Sequence, residues 1–343
     1  MGVSLGLVWI GGLLGVAEAG SHVVVQPGQT VESIARDEQL VGREAEIRQL
    51  SGLGRGAQPA HGAVLLLPVD RSGQESLVLT TYGAVTTRLG AAAPTPLAPG
   101  DRLAPGAEVC TAAESFVTLR LVLNESTRHH DDLTLMPESC VVVERTSLEG
   151  AERSSLVSLG QGSVTVQPNL DGHVPGRVTV RAWGAVTSGV GGGHRMHIEP
   201  GALRAEAVSQ PLEIYGGGAR RDLAAGEGSR SRGDAPPDPA VKLLIGPATL
   251  LPEDHSVLRA PDFTWSPVPR ALGYQVELAT DPYFTEPVLV VESPLAEWLP
   301  EAMLLPWRAR GVYWRVIPVD RFGYLGVPSE PQHLRFPPGS GGG

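Results

Sequence analysis

Apolar and polar positions follow two different periods along this chain. Within residues 22–69, the apolar triplet Val23-Val-Val25 is followed by a Pro27-Gly28 turn and then by Val31, Ile34 and Ala35 at helical spacing. Thr30 and Ser33 are both residues that cap a helix start. A second helix is predicted over residues 43–50, where Ile47 and Leu50 share a face, and Gly52-Leu-Gly54 stops it. Residues 64–67 are an apolar run ended by Pro68, short enough for a strand. The predicted order is strand, helix, helix, strand.

From residue 77 to about 235 the period becomes two. In Phe116-Val-Thr-Leu-Arg-Leu-Val-Leu123, Val117, Leu119, Leu121 and Leu123 take one face while Thr118 and Arg120 take the other. Val178 and Val180 alternate in the same way, and further strands are predicted at 133–136, 141–144, 164–167, 196–198 and 212–215. So many short strands predict an all-β sandwich or solenoid. Residues 226–239 are Gly, Ser, Arg, Pro and Asp with almost no apolar residue, which reads as a linker. Beyond them, Phe263-Thr-Trp265, Gly273-Tyr-Gln-Val-Glu-Leu278 and Gly311-Val-Tyr-Trp-Arg-Val-Ile317 alternate as strands, with Trp265 and Trp314 as core fillers.

Composition narrows the classes. At 343 residues the chain is long enough for two or three cores. Gly 43 and Pro 30 with only 5% aromatics fit a turn-rich β protein better than a helical enzyme core. A net charge of −10, with Lys242 the one lysine, disfavours nucleic acid and anionic membrane surfaces as partners. Residues 3–16 are apolar and Ala17-Glu-Ala19 is a small-x-small cleavage pattern, so residues 1–19 read as a signal peptide, although no Lys or Arg precedes the run. The run is shorter than the roughly 18–20 residues that span a bilayer, so no integral membrane span is expected. Export makes Cys110 and Cys140 a candidate disulfide, the alternative being two separate buried thiols.

Three resemblances sharpen these units. His22-Val-Val-Val-Gln-Pro-Gly-Gln-Thr-Val-Glu-Ser-Ile-Ala35 and Gly62-Ala-Val-Leu-Leu-Leu-Pro68 resemble the opening and closing of a LysM module, a small βααβ unit that holds N-acetylglucosamine-containing glycans. The resemblance implies a glycan site at Gly28, Gln29, Thr30 and Val31 facing Leu50, Ser51, Gly52 and Leu53. Gln29 stands at the family's Asp, Val31 at its Leu, and no Asn follows the second helix. Leu97-Ala-Pro-Gly-Asp-Arg-Leu103, Cys110-Thr-Ala-Ala-Glu-Ser-Phe116, Leu133-Thr-Leu-Met-Pro-Glu-Ser-Cys140 and Leu159-Gly-Gln-Gly-Ser-Val164 resemble, in order, the FecR domain of bacterial envelope signalling. Phe263-Thr-Trp-Ser-Pro-Val268 with the two later strands resembles a fibronectin type III sandwich. The expectation is a mostly β, multi-domain chain: signal peptide 1–19, LysM 20–70, FecR-like 75–228, linker 229–244, fibronectin-like 245–336 and a disordered tail 337–343.

Other motifs carry little chemistry. His129-His-Asp-Asp132 could offer metal ligands, but adjacent strand residues point to opposite faces and a polar quartet fits a solvated hairpin tip. His194 and His197 are three apart, which converges on a helix and not on a strand. Gly52-Leu-Gly-Arg-Gly56 lacks the context of a dinucleotide loop, Arg232-Gly-Asp234 lies in a segment rich in those residues, and Asn124-Glu-Ser126 is a formal sequon. Neither a Gly-x-Ser-x-Gly elbow nor a His-Glu-x-x-His helix occurs. The expected function is therefore a non-enzymatic, cofactor-free and metal-free exported protein of the periplasm or cell envelope. It would bind peptidoglycan and present its β domains to an unidentified envelope protein. The competing expectations are a FecR-type signalling component, a folded but weakly binding spacer, and a cell-wall hydrolase or other enzyme.

Overall fold

The structure is a computed structural model. It describes residues 19–37, 40–51, 53–68, 74–121, 131–149, 152–167, 176–182, 184–232, 235–248, 250–254, 262–299 and 311–335. The expected leader before Ala19, the tail 337–343, His129 and His130, the sequon, and Gly233 and Asp234 lie outside the described residues.

The first unit runs β1 (Ala19–Val24), α1 (Val31–Asp37), α2 (Glu44–Leu50) and β2 (Val64–Pro68). β1 and β2 pair antiparallel, with His22 opposite Leu66 and Val24 opposite Val64. Gly28 holds φ +79° in the turn that closes from Gln29 N–H to the Gln26 carbonyl at 3.1 Å, with Pro27 setting the preceding φ. α1 starts where the sequence predicts. Ser33 N–H donates to Thr30 Oγ1 at 3.1 Å while Thr30 N–H donates to Ser33 Oγ at 2.9 Å, a reciprocal cap of the first turn. Val25, Val31, Ile34, Ala35, Leu40, Ile47, Leu65 and Leu67 make the small core between the helices and the hairpin.

The second unit is a large sandwich. Its strands are β3 (Ser76–Tyr82), β4 (Val85–Leu89), β5 (Thr95–Pro96), β6 (Arg102–Leu103), β7 (Ala107–Thr111) and β8 (Phe116–Arg120). Next come β9 (Asp132–Leu135), β10 (Cys140–Glu149), β11 (Glu152–Gln161), β12 (Ser163–Val166), β13 (Arg177–Ala182) and β14 (Ala185–Val190). β15 (His194–Glu199), β16 (Ala202–Ala207), β17 (Leu212–Gly216), β18 (Ala219–Leu223), β19 (Glu227–Ser231) and β20 (Val241–Lys242) complete it. Among the described residues they form two nine-stranded sheets, β18-β17-β14-β13-β11-β10-β7-β4-β5 (sheet I) and β20-β19-β16-β15-β12-β9-β8-β3-β6 (sheet II). The chain crosses between the sheets after every one or two strands, so both grow in step. β11 and β13 pair parallel. Val109, Val141, Val157, Val180 and Ile214 of sheet I meet Val117, Leu119, Leu133, Leu135 and Leu203 of sheet II in one core.

Cys110 and Cys140 lie opposite each other in the β7–β10 register and form a disulfide. Closing a loop with a sequence separation of 30 constrains the unfolded chain. That constraint contributes about 3–4 kcal/mol.

The third unit contains β21 (Leu250–Leu251), β22 (Phe263–Trp265), β23 (Ala271–Ala279), β24 (Pro287–Ser293), β25 (Glu297–Trp298), β26 (Val312–Asp320) and β27 (Gln332–Leu334). β21-β22-β25 faces β24-β23-β26-β27. Trp314 and Phe263, both 0% exposed, meet edge to face at 4.8 Å in the core between them.

The second and third units do not hang apart on a linker. The outer face of sheet II, expected to be polar and wet at Thr118, is covered by the third unit. Thr118 donates to the Thr285 carbonyl at 2.5 Å and Gln167 donates to the Phe284 carbonyl at 2.9 Å. Arg195 donates to the carbonyls of Leu325 and Gly326 at 2.8 and 2.5 Å, and Leu325 N–H donates to Glu206 Oε1 at 2.8 Å. Glu206, 2% exposed, also pairs with Arg195 at 3.0 Å and Arg204 at 3.1 Å. Burial pushes the Arg195 guanidinium down from its ordinary value, and Glu206 and Glu277 oppose that push. Glu199 extends the cluster to Arg204 at 2.6 Å and Arg230 at 2.5 Å.

The two ends of the segment expected to be a linker at 229–244 belong to the sandwich. β19 and β20 belong to sheet II, and Leu243 and Leu244 continue the ladder through Gly226 and Val327 at 2.9 and 2.7 Å. Its small residues are there for packing. A Cβ on Gly228 would sit 2.8 Å from Tyr324 Cδ1, and Ser229 and Ser231 are fully buried. Replacing Glu206 by Ala leaves the buried Arg195 guanidinium without its carboxylate and is expected to cost about 3–5 kcal/mol. A lowered urea midpoint checks this; an unchanged midpoint would show that the interface contributes nothing.

Candidate functional site

The first unit places two loops at one end. One is the Gln26–Gln29 turn leading into α1, and the other follows α2 from Ser51 to Gln58. They meet at the first turn of α1, where Val31 N–H donates to Gln58 Oε1 at 3.3 Å. Gln58 Nε2 donates to Glu32 Oε2 at 3.3 Å, and Arg48 reaches Glu32 Oε1 at 2.5 Å while also donating to the Ala57 carbonyl. A helix N-terminus leaves N–H groups without intrahelical partners, and here the loop after α2 supplies one.

The expected glycan residues divide accordingly. Gly28 is exposed at the turn, and Thr30 is half-buried and engaged in capping. Gln29 is tied into its own loop, accepting from Gln26 N–H at 2.9 Å and donating to Asp37 Oδ2 at 3.4 Å. Val31 is 0% exposed, so its side chain belongs to the core and only its backbone faces the groove. Ser51 ends α2, its N–H donating to Ile47 O at 3.0 Å, and Leu53 packs half-buried against the core. Leu50 is the last residue of α2, and Gly52 lies outside the described residues. Sequence reading missed Glu32, Arg48 and Gln58. The Glu32 carboxyl lies low, at about 2, because its own backbone N–H, then Arg48 and Gln58, donate to it.

The sandwich adds a third wall. The turn between β17 and β18 puts Gly218, φ +77°, against the Gln26–Pro27 loop. A Cβ there would lie 3.0 Å from Gln26 Oε1 and 3.5 Å from His61 Nε2.

The other candidate ligands are engaged in packing. Asp131 pairs with Arg153 at 3.0 Å with both side chains buried, and Asp132 pairs with Arg120 at 3.0 Å. His194 is 1% exposed over Gly189, with Nε2 3.1 Å from the Pro211 carbonyl, and burial pushes its pKa down to about 4. Among the described residues no group of three or more His, Cys, Asp or Glu side chains is placed to hold a metal ion. No helix among them is long and apolar enough to cross a membrane.

No protein-family model matches the chain, and no curated protein matches it. Two crystal structures of a proposed anti-sigma factor from Parabacteroides distasonis ATCC 8503 are similar to it in part. Identity is 13% and 11%, and each alignment has a TM-score of 0.28 and covers 39% of this chain. This chain spans 58% of those chains' length. At that TM-score the likeness carries no argument about fold or role.

Acid stability should show two windows. His194 titrates near 4 in the fold against an ordinary 6.5, so its contribution is complete above 6.5 and is lost as pH falls through 4. Glu32, lowered from 4.5 to about 2, contributes fully above 4.5 and loses that contribution as pH falls toward 2. Urea midpoints measured against pH should flatten in the upper window for His194→Gln and in the lower one for Glu32→Gln. Identical curves for the variants and the parent would contradict this assignment.

Proposed function

We propose that this chain is a non-enzymatic, exported bacterial envelope protein that attaches to peptidoglycan through a LysM-type unit, residues 20–70. Its FecR-like and fibronectin-like β units would then be held at the wall for contact with another protein. The observation that carries the reading is the β1-α1-α2-β2 unit, whose two loops converge at the start of α1. Such a groove meets a neutral sugar polymer with backbone donors and small polar side chains, and it needs no strong field. Glu32 is held by Arg48 and Asp37 accepts from Gln29, which suits binding better than acid–base work.

Two further features support the setting. The Cys110–Cys140 disulfide fits an oxidising compartment, as export to the periplasm or cell surface implies. The strand orders β21-β22-β25 and β24-β23-β26-β27 are those expected of a fibronectin type III sandwich.

Co-sedimentation of the full chain with purified sacculi tests the proposal. We expect pelleting that N-acetylglucosamine oligomers reverse. Gly28→Val, which strains a φ of +79° at the groove, should weaken it about tenfold or more. A chain that stays in the supernatant, or one that pellets regardless of competitor, would remove glycan attachment from the reading.

A further inference from the structure

Where β20 leaves sheet II for the third unit, the chain walls an open apolar cleft of about 680 Å³. Leu243, Leu244, Ile245, Pro247, Val268 and Val327 line it. That volume is within the ~300–1,000 Å³ of small-molecule sites. Ile245 is 77% exposed beside it, a large apolar side chain left in water at a place the fold could have covered.

Two cationic side chains, Lys242 and Arg270, line the cleft in a chain whose net charge is −10. Lys242, the one lysine, lines the cleft and pairs with Glu227 at 2.9 Å, its own side chain 76% exposed. Arg270 lines the opposite wall, exposed and without an ion pair among the described residues. Its backbone is the less ordinary fact. Arg270 holds φ +70° in the turn closed by Ala271 N–H to Val268 O at 3.1 Å, with Pro269 before it. This is the position where such a turn takes Gly or Asn, because a side chain there is strained. An arginine kept at a glycine position, beside an apolar cleft, is a cation retained against the backbone's preference.

We propose that the cleft binds a small anionic amphiphile. Its single apolar chain would lie against Leu243, Leu244 and Val268, and its carboxylate would meet Arg270 and Lys242. The walls favour an acyl chain over a peptide strand. Pro247, Pro267 and Pro269 have no N–H to offer. Leu243 N–H, Leu244 C=O and Val327 N–H are already spent on Gly226 and on each other. A peptide running along these prolines would meet no N–H donor from them, whereas an acyl chain has no backbone groups to pair. The assignment is independent of glycan attachment.

Calorimetry with the full chain tests it, using decanoate below its micelle concentration and 1-decanol as the uncharged control. Decanoate should bind more tightly than decanol. Arg270→Gly keeps the turn and should raise the melting temperature slightly, yet it should weaken decanoate about tenfold while leaving decanol unchanged. Because Lys242 is the one lysine, acetylation by an amine reagent, read by mass spectrometry, reports on the rim alone apart from the N-terminus, and decanoate should slow it. The proposal is overturned if decanoate fails to bind at millimolar concentration, if Arg270→Gly binds it as the parent does, or if Lys242 acetylates at the same rate with and without it.

Discussion

Glu206 is the residue on which the joined β body depends. It lies on the outer face of β16, 2% exposed, and forms ion pairs with two guanidiniums of its own sheet while accepting one backbone N–H from the third unit. A buried carboxylate with fewer partners would be costly to keep ionised, and so would Arg195 without it. The three groups therefore hold one another in place, and with them the third unit is fixed on sheet II. The result is four β layers in sequence: sheet I, sheet II, the β23–β26 sheet and the β22 sheet. The outer two contacts in this stack are apolar cores, and the middle one is a layer of charge and hydrogen bonds.

The strands themselves were legible. Period-two runs such as Phe116 to Leu121 place their apolar residues in one core, and Thr30 with Ser33 caps α1 as their chemistry dictates. What could not be read was which polar face would be covered. Thr118 and Arg120 look like the wet side of a half-buried sheet, because alternation reports the apolar face and is silent on the other, and Thr118 is 0% exposed. Gly228, Ser229 and Ser231 failed for a related reason. Small residues signal a flexible linker and a tightly overlaid strand with the same letters.

The two-loop groove of the first unit shows the same limit at finer scale. Its backbone frame follows from Pro27-Gly28 and the helix start, so the turn and the direction of α1 were available from sequence. The side-chain layer was not. Gln58 lies 27 residues beyond Val31 in a loop without periodic signal, and its amide supplies the α1 N-terminus with an acceptor. Val31, expected at the sugar, faces inward because a helix that packs on a two-stranded sheet has few other apolar residues with which to build a core.

The middle layer of the stack has a further consequence for how the molecule comes apart. If the third unit lifts away, guanidiniums, carboxylates, threonines and backbone carbonyls are laid bare together with Tyr324 and Phe284, while both greasy interiors stay closed. Water solvates the charged part of such faces readily, so opening this seam exposes less oil than opening either core would. The joint is thus the place where water enters the stack most easily.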